Sequence, residues 1–142
     1  MWRYNSIVLT SFEYREDMDP AMDIHEYLIP ALMLQPIIEN AIEHGVTHIG
    51  QKGSIDLRIS LDPPGREEKT IEIKVTNDGP SLDKNLLILN NHALSIIQEQ
   101  LFTIRKKYGT GTLTLQNNIN RSGVNCTISL PAITLDVFKK TR

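Results

Sequence analysis

At 142 residues the chain falls within the single-domain range and is long enough to bury one hydrophobic core. Its 40% hydrophobic and 23% charged content is that of a globular protein, and a net charge of -2 excludes the strongly basic balance expected of a nucleic-acid module. No apolar run approaches the roughly 20 residues of a bilayer span, no signal peptide is evident, and the single cysteine, Cys126, excludes an internal disulfide and a cysteine-rich zinc site and suits a reducing, cytoplasmic compartment.

In chain order, the first predicted element is a strand over Ile7 to Tyr14, where apolar residues run together before alternating into Phe12-Glu13-Tyr14, a β-favouring end. The run Ile29 to Gly45 predicts an amphipathic helix. At about 100° per residue, Glu39, Asn40, Glu43 and His44 share an arc of about 140°, and Leu34, Ile37, Ile38, Ala41 and Ile42 fill the opposite arc. Pro36 marks a helix start or a kink. From periodicity alone the polar residues are simply the solvent face. His48 is a tempting partner for His44 in a metal site, but Gly45 ends the helix between them, so the two need not share a face.

Ile55, Leu57, Ile59 and Leu61 alternate with Asp56, Arg58 and Ser60, and Ile71, Ile73 and Val75 repeat the pattern, giving two half-buried strands. The Pro-Pro-Gly and charged residues between them, Asp62 to Lys69, predict an antiparallel hairpin with a long solvated tip. Asn77-Asp78-Gly79-Pro80-Ser81 is strong turn chemistry at the end of the second strand. Leu94, Ile97, Leu101, Ile104 and Tyr108 recur at spacings of three and four, predicting a second helix over roughly His92 to Lys107 that stops at Tyr108-Gly109. Leu113 and Leu115, then Val124, Cys126, Ile128 and Leu130, mark a second hairpin joined through Asn117 to Gly123. Cys126 lies on the inward phase of its strand and reads as a structural thiol. One-faced strands and one-striped helices together predict an α+β class: one domain over 1–142, a two-layer sandwich whose mostly antiparallel sheet has helices on a single face.

The segment Leu34-Gln35-Pro36 through Glu39-Asn40-Ala41 to His44-Gly45 resembles the N box of the GHKL ATPases, the group of gyrase, Hsp-type chaperones, MutL and histidine kinases, in the form found in LytS/YehU-type sensor histidine kinases. The resemblance extends from about Ser11 to Pro131. It implies the Bergerat fold, a mixed sheet with nucleotide held between helices and a lid, here Leu82 to Asn91. It implies ATP and Mg²⁺ as cofactors, with Asn40 ligating the metal, Glu39 orienting or activating the attacking group, and His44 beside the phosphates. Where the family has Asp-x-Gly-x-Gly reading adenine, this chain has Asn77, Gly79 and Ser81. Where it has Gly-x-Gly-Leu opening a helix against phosphate, this chain has Asn91, His92, Ala93 and Leu94, so His92 and Leu94 take those places without the glycines. Glu43 stands where many histidine kinases carry a basic residue, and Gln100 where the family often has arginine.

The activity so implied is that of the ATP-binding catalytic domain of a two-component sensor histidine kinase, passing a phosphoryl group to a histidine on a dimerisation helix outside this chain and thence to a response regulator. The parent is then expected to be an inner-membrane sensor, with this segment cytoplasmic and making no membrane contact of its own. Two other readings stay open. One is a degenerate module that binds nucleotide weakly or not at all and signals by contact; the other is a stand-alone serine kinase of the anti-sigma type. A nucleic-acid partner is not expected, because Arg105, Lys106, Lys107, Lys139, Lys140 and Arg142 form no aromatic-laced patch.

Overall fold

The computed structural model describes residues 3–8, 12–23, 25–44, 53–62, 69–82 and 92–140. Two strands open it, β1 (Arg3–Val8) and β2 (Phe12–Met18), followed by the two-residue β3 (Tyr27–Leu28) and helix α1 (Leu34–His44). Strands β4 (Gly53–Asp62) and β5 (Thr70–Asn77) precede helix α2 (His92–Tyr108). Then come β6 (Thr112–Asn117), β7 (Val124–Pro131), the short β8 (Ile133–Thr134) and α3 (Leu135–Lys140).

Six strands form one sheet in the order β1-β2-β4-β5-β7-β6. Neighbours are antiparallel except β2 and β4, which run parallel in the register Phe12↔Gly53 to Met18↔Ile59. The segment between those two contains α1, and a crossover of that kind is what a parallel join requires. The predicted α+β sandwich with a mixed, mostly antiparallel sheet is therefore the observed architecture. β3 and β8 pair separately, Tyr27 with Thr134 and Leu28 with Ile133.

Period two decides which face of the sheet is covered. Ile55, Leu57 and Ile59 of β4, Ile71, Ile73 and Val75 of β5, and Cys126, Ile128 and Leu130 of β7 point to one side and are buried. Against them pack Ile37 and Ala41 of α1 and Ile97 and Leu101 of α2. Each full burial of such a side chain contributes about 1.5–3 kcal/mol. The opposite face is charged. Arg15 and Asp56, facing each other across the parallel join, form a two-pronged pair with Nε–Oδ1 at 2.6 Å and Nη2–Oδ2 at 3.0 Å.

Pro36 lies in the first turn of α1, where its missing N–H is one of those that have no intrahelical partner. It marks a start, as one of the two sequence alternatives had it. α2 ends where expected: Gly109 adopts φ +83° and its N–H donates to the Arg105 carbonyl at 2.8 Å, a left-handed cap that a side chain would disfavour. Arg105, Lys106 and Lys107 fill the last turn, where cations offset the helix dipole.

The N-terminal expectation needs correction. Ile7 to Tyr14 is not one strand; Ile7 and Val8 close β1 while Phe12 to Tyr14 begin β2, and the two are antiparallel with Ile7 opposite Tyr14. The break in alternation was the boundary between two strands. The tip of the β4–β5 hairpin at 63–68 and the expected lid from 83 to 91 lie outside the described residues, as does His48.

Candidate functional site

Strand β5 ends on its buried phase with Asn77, which is 8% exposed and is the one buried polar residue among those described. An amide in that setting needs partners. Its Oδ1 accepts the Gly79 N–H at 3.0 Å, closing an Asx turn. The backbone carbonyl of Asn77 accepts from Asn118 Nδ2 at 2.8 Å. Gly123, at φ +113°, packs on that same carbonyl so closely that a Cβ would collide with it. The sequence pattern at Asn77-Asp78-Gly79 foresaw the turn, but not the neighbours that hold it.

Those neighbours come from two other places in the chain. Asp78 faces away from Asn77 and clamps the start of β4, its Oδ1 accepting the Ser54 N–H at 2.7 Å and its Oδ2 the Ser54 hydroxyl at 3.0 Å. This adjacent acid is thereby engaged with β4. From the β6–β7 turn, Ser122 Oγ donates to the Gly79 carbonyl at 2.5 Å, and Asn117 exchanges hydrogen bonds with the backbone of Leu82, 2.6 Å at Oδ1 and 3.4 Å at Nδ2. Residues 77 to 82 are thus laced to the last hairpin. The signal that could have found this was the density of asparagine, serine and glycine in Asn117 to Gly123, residue types that bond backbone.

The remaining predicted site residues lie on the helices. Glu39 is exposed on α1, and Gln35 one turn earlier donates Nε2 to its Oε1 at 2.8 Å. Asn40 follows it half-buried, and Glu43 is exposed. Ile37 and Ala41 are buried on the opposite arc, so the faces of α1 are as the periodicity predicts. The chain leaving α1 re-enters the sheet at Gly53, beside the end of β5 that carries Asn77. His44 and His92 are the last residue of α1 and the first of α2; their side chains lie outside the described residues. Leu94 is 5% exposed and its side chain belongs to the core. Gln100 on α2 has a buried Oε1 with no hydrogen-bond partner among the described residues. Of the predicted set, Asn77 and Gly79 are brought directly together, while Glu39 belongs to its own pair with Gln35.

Other chemistry is set aside by the same geometry. Cys126 is buried, and burial pushes its thiol up to about 12, so the nucleophilic thiolate is suppressed at neutral pH. Among the described residues no three His, Cys, Asp or Glu side chains are grouped to hold a metal ion. A magnesium ion carried by nucleotide phosphates asks less of the protein, one or two oxygen ligands, and a side-chain amide such as that of Asn40 carries an oxygen of that type. For an adenine amino group, Asn77 Oδ1 retains a second lone pair beyond the bond to Gly79.

Comparison with solved structures identifies the fold. It is that of histidine kinase ATPase domains. The blue-light activated histidine kinase of Erythrobacter litoralis EL346 superposes with a TM-score of 0.65 over 94% of this chain and 38% of that one, at 16% identity. The mycobacterial sensor histidine kinase MprB superposes with a TM-score of 0.58 over 89% of this chain and 87% of that one, at 14% identity. No model of a known family matches the sequence. Among curated proteins, the uncharacterised YwpD of Bacillus subtilis (strain 168) is 33% identical over 82 residues, 56% of this chain. The chain spans 27% of the length of that relative.

Proposed function

We infer that this chain is the ATP-binding domain of a sensor histidine kinase of the LytS/YehU type, acting on a histidine carried by a separate dimerisation helix and feeding a response regulator. The observation that carries the reading is the buried Asn77 turn, which stands at the end of β5 on a kinase-type fold and is fixed in place by its lacing to the last hairpin. The Leu-Gln-Pro form of the α1 segment supports the subtype. In this reading Asn77 accepts from the adenine amino group and the Gly79 backbone lies beside the base. Asn40 would ligate Mg²⁺, with His44, His92 and the start of α2 at Leu94 beside the phosphates. Mg-ATP, when bound, supplies the γ-phosphoryl group. Glu39, its rotamer fixed by Gln35, would orient the incoming imidazole and take its proton.

Calorimetric titration with ATP and ADP, with and without Mg²⁺, tests this. Micromolar, Mg²⁺-dependent binding that falls tenfold or more in Asn40→Ala is the expected result; affinity unchanged in that variant would sink the assignment. A specific observation favours a second reading, a degenerate module that signals by contact. The residue that this reading sets against the base is an uncharged amide, and the exposed Glu43 puts a carboxylate on the arc of α1 that the reading turns toward the phosphates. No heat and no thermal shift at millimolar nucleotide would establish that reading instead.

A further inference from the structure

Asn77 is only 8% exposed, yet half of its side-chain amide is unused. Oδ1 accepts the Gly79 N–H at 3.0 Å. Nδ2, with two protons to give, meets no acceptor among the described residues and is not sealed from solvent. Buried polar groups are ordinarily paired, so an amide nitrogen left over in this setting faces an acceptor that the fold itself does not supply.

The surroundings give the amide no rival. Ile55 of β4 lies directly opposite Asn77 in the ladder, and Val124 of β7 comes next after the Thr76↔Asn125 pair; both are buried and apolar. Asp78 has both carboxylate oxygens taken by Ser54. The turn is also held from swinging, because Asn118 Nδ2 donates to the Asn77 carbonyl at 2.8 Å and Ser122 Oγ donates to that of Gly79. The edge offered to a ligand is therefore one donor, Nδ2–H, beside one acceptor, the second lone pair of Oδ1. Apolar flanks strengthen both, since a low local dielectric screens them little.

Purines divide on this point. Adenine presents a donor at its 6-amino group beside an acceptor at N1, and a 6-oxo purine presents the reverse, an acceptor at O6 beside a donor at N1–H. An amide complements either edge with one donor and one acceptor. A carboxylate has acceptors alone and sets one of them against O6, which rejects the 6-oxo base. We propose that Asn77 makes this site a binder of 6-oxo as well as 6-amino purine nucleoside triphosphates, an inference that rests on the purine base lying against the Asn77 turn as in the proposed function. With Nδ2 on the open branch, O6 receives its hydrogen bond directly.

The test is calorimetric titration of the full chain, with Mg²⁺, against ATP, inosine triphosphate and purine riboside triphosphate. Inosine has no 2-amino group, so the comparison with ATP stays at the 6-position, and purine riboside has no substituent there at all. Inosine triphosphate is expected to bind no more than about fivefold more weakly than ATP, and purine riboside triphosphate about fivefold or more weakly than both, the loss of one hydrogen bond. Asn77→Asp should strengthen ATP about tenfold and weaken inosine triphosphate about tenfold, moving their ratio about a hundredfold. Thermal unfolding verifies that the variant is folded, and the three-ligand comparison on the unaltered chain stands without it. ATP binding with inosine triphosphate more than fivefold weaker would overturn the proposal and leave the ATP reading in place. Purine riboside triphosphate bound within fivefold of both, or a ratio that moves less than tenfold in folded Asn77→Asp, would also overturn it, assigning the affinity to the phosphates alone. Absence of binding by all three ligands would remove the nucleotide reading and this inference together.

Discussion

The Asn77 amide has only one workable orientation. The Gly79 N–H can be accepted by oxygen and not by an NH₂ group, so Oδ1 is fixed toward the turn and Nδ2 takes the other branch, where a carboxylate would present a second acceptor. Asn77→Asp restores that acceptor while keeping the bond to Gly79. Because hydrogen bonds to an ionised acceptor are roughly twice as strong as neutral ones, the proposed role of Asn77 requires that the variant bind ATP about tenfold more tightly, a difference of about 1.4 kcal/mol, read by the same titration. Gly123→Ala tests the lacing, since a methyl group there meets the Asn77 carbonyl and the φ of +113° disfavours any side chain. A loss of about 1–3 kcal/mol in urea unfolding is expected. The turn at Asn77 to Gly79 was legible because turn chemistry is local. The clasp from Asn118 and Ser122 was not, because it joins residues some forty positions apart through contacts that no local pattern encodes.

Elements with a repeating burial pattern were the readable ones. β4, β5 and β7 show strict alternation, and α2 was bounded by a leucine-isoleucine stripe and a glycine. What escaped had no period to read: β3 and β8 are two residues each, and α3 is six residues with none buried. The N-terminal hairpin was merged into one strand because neither half alone shows enough repeats. Neighbouring positions on α2 give a direct test of the stripe. Ile97 is fully buried and Ile96 is 52% exposed. Ile97→Ala should lower stability by about 2–5 kcal/mol through lost burial and a residual cavity. Ile96→Ala should stay within about 0.5 kcal/mol. Urea midpoints at an unchanged m-value make the comparison; similar losses at both sites would show that α2 does not pack by this face.

For the molecule as a whole, a buried thiol and a half-buried phenol shape how stability responds to alkali. Burial pushes the Cys126 thiol from an ordinary 9.0 up to about 12. Burial, with the neighbouring Glu16 that accepts the Tyr14 hydroxyl proton at 2.9 Å, also raises the Tyr14 phenol above its ordinary range. In both cases the unfolded chain releases its proton at lower pH than the folded one. Their contribution is therefore complete below about pH 9 and declines between 9 and 12 as the unfolded thiol and phenol ionise. Urea unfolding at pH 8 and pH 10.5 should show that decline, and Cys126→Val should reduce it. A decline of the same size in the variant would remove the thiol from the account. Among the described residues, no helix is long and apolar enough to cross a membrane.

The single parallel join of the sheet also orders its assembly. The β4–β5 and β6–β7 hairpins close over short stretches of chain, whereas β2 meets β4 only after residues 19 to 52 have been gathered up, and the entropy of closing a loop grows with its length. Contacts of that range form late. Until they do, β4 is a bare edge, and an unpaired edge invites pairing with another molecule. Its outward side chains Asp56 and Arg58, later matched to Arg15 and Asp17, give that temporary edge a charged guard against self-association during folding.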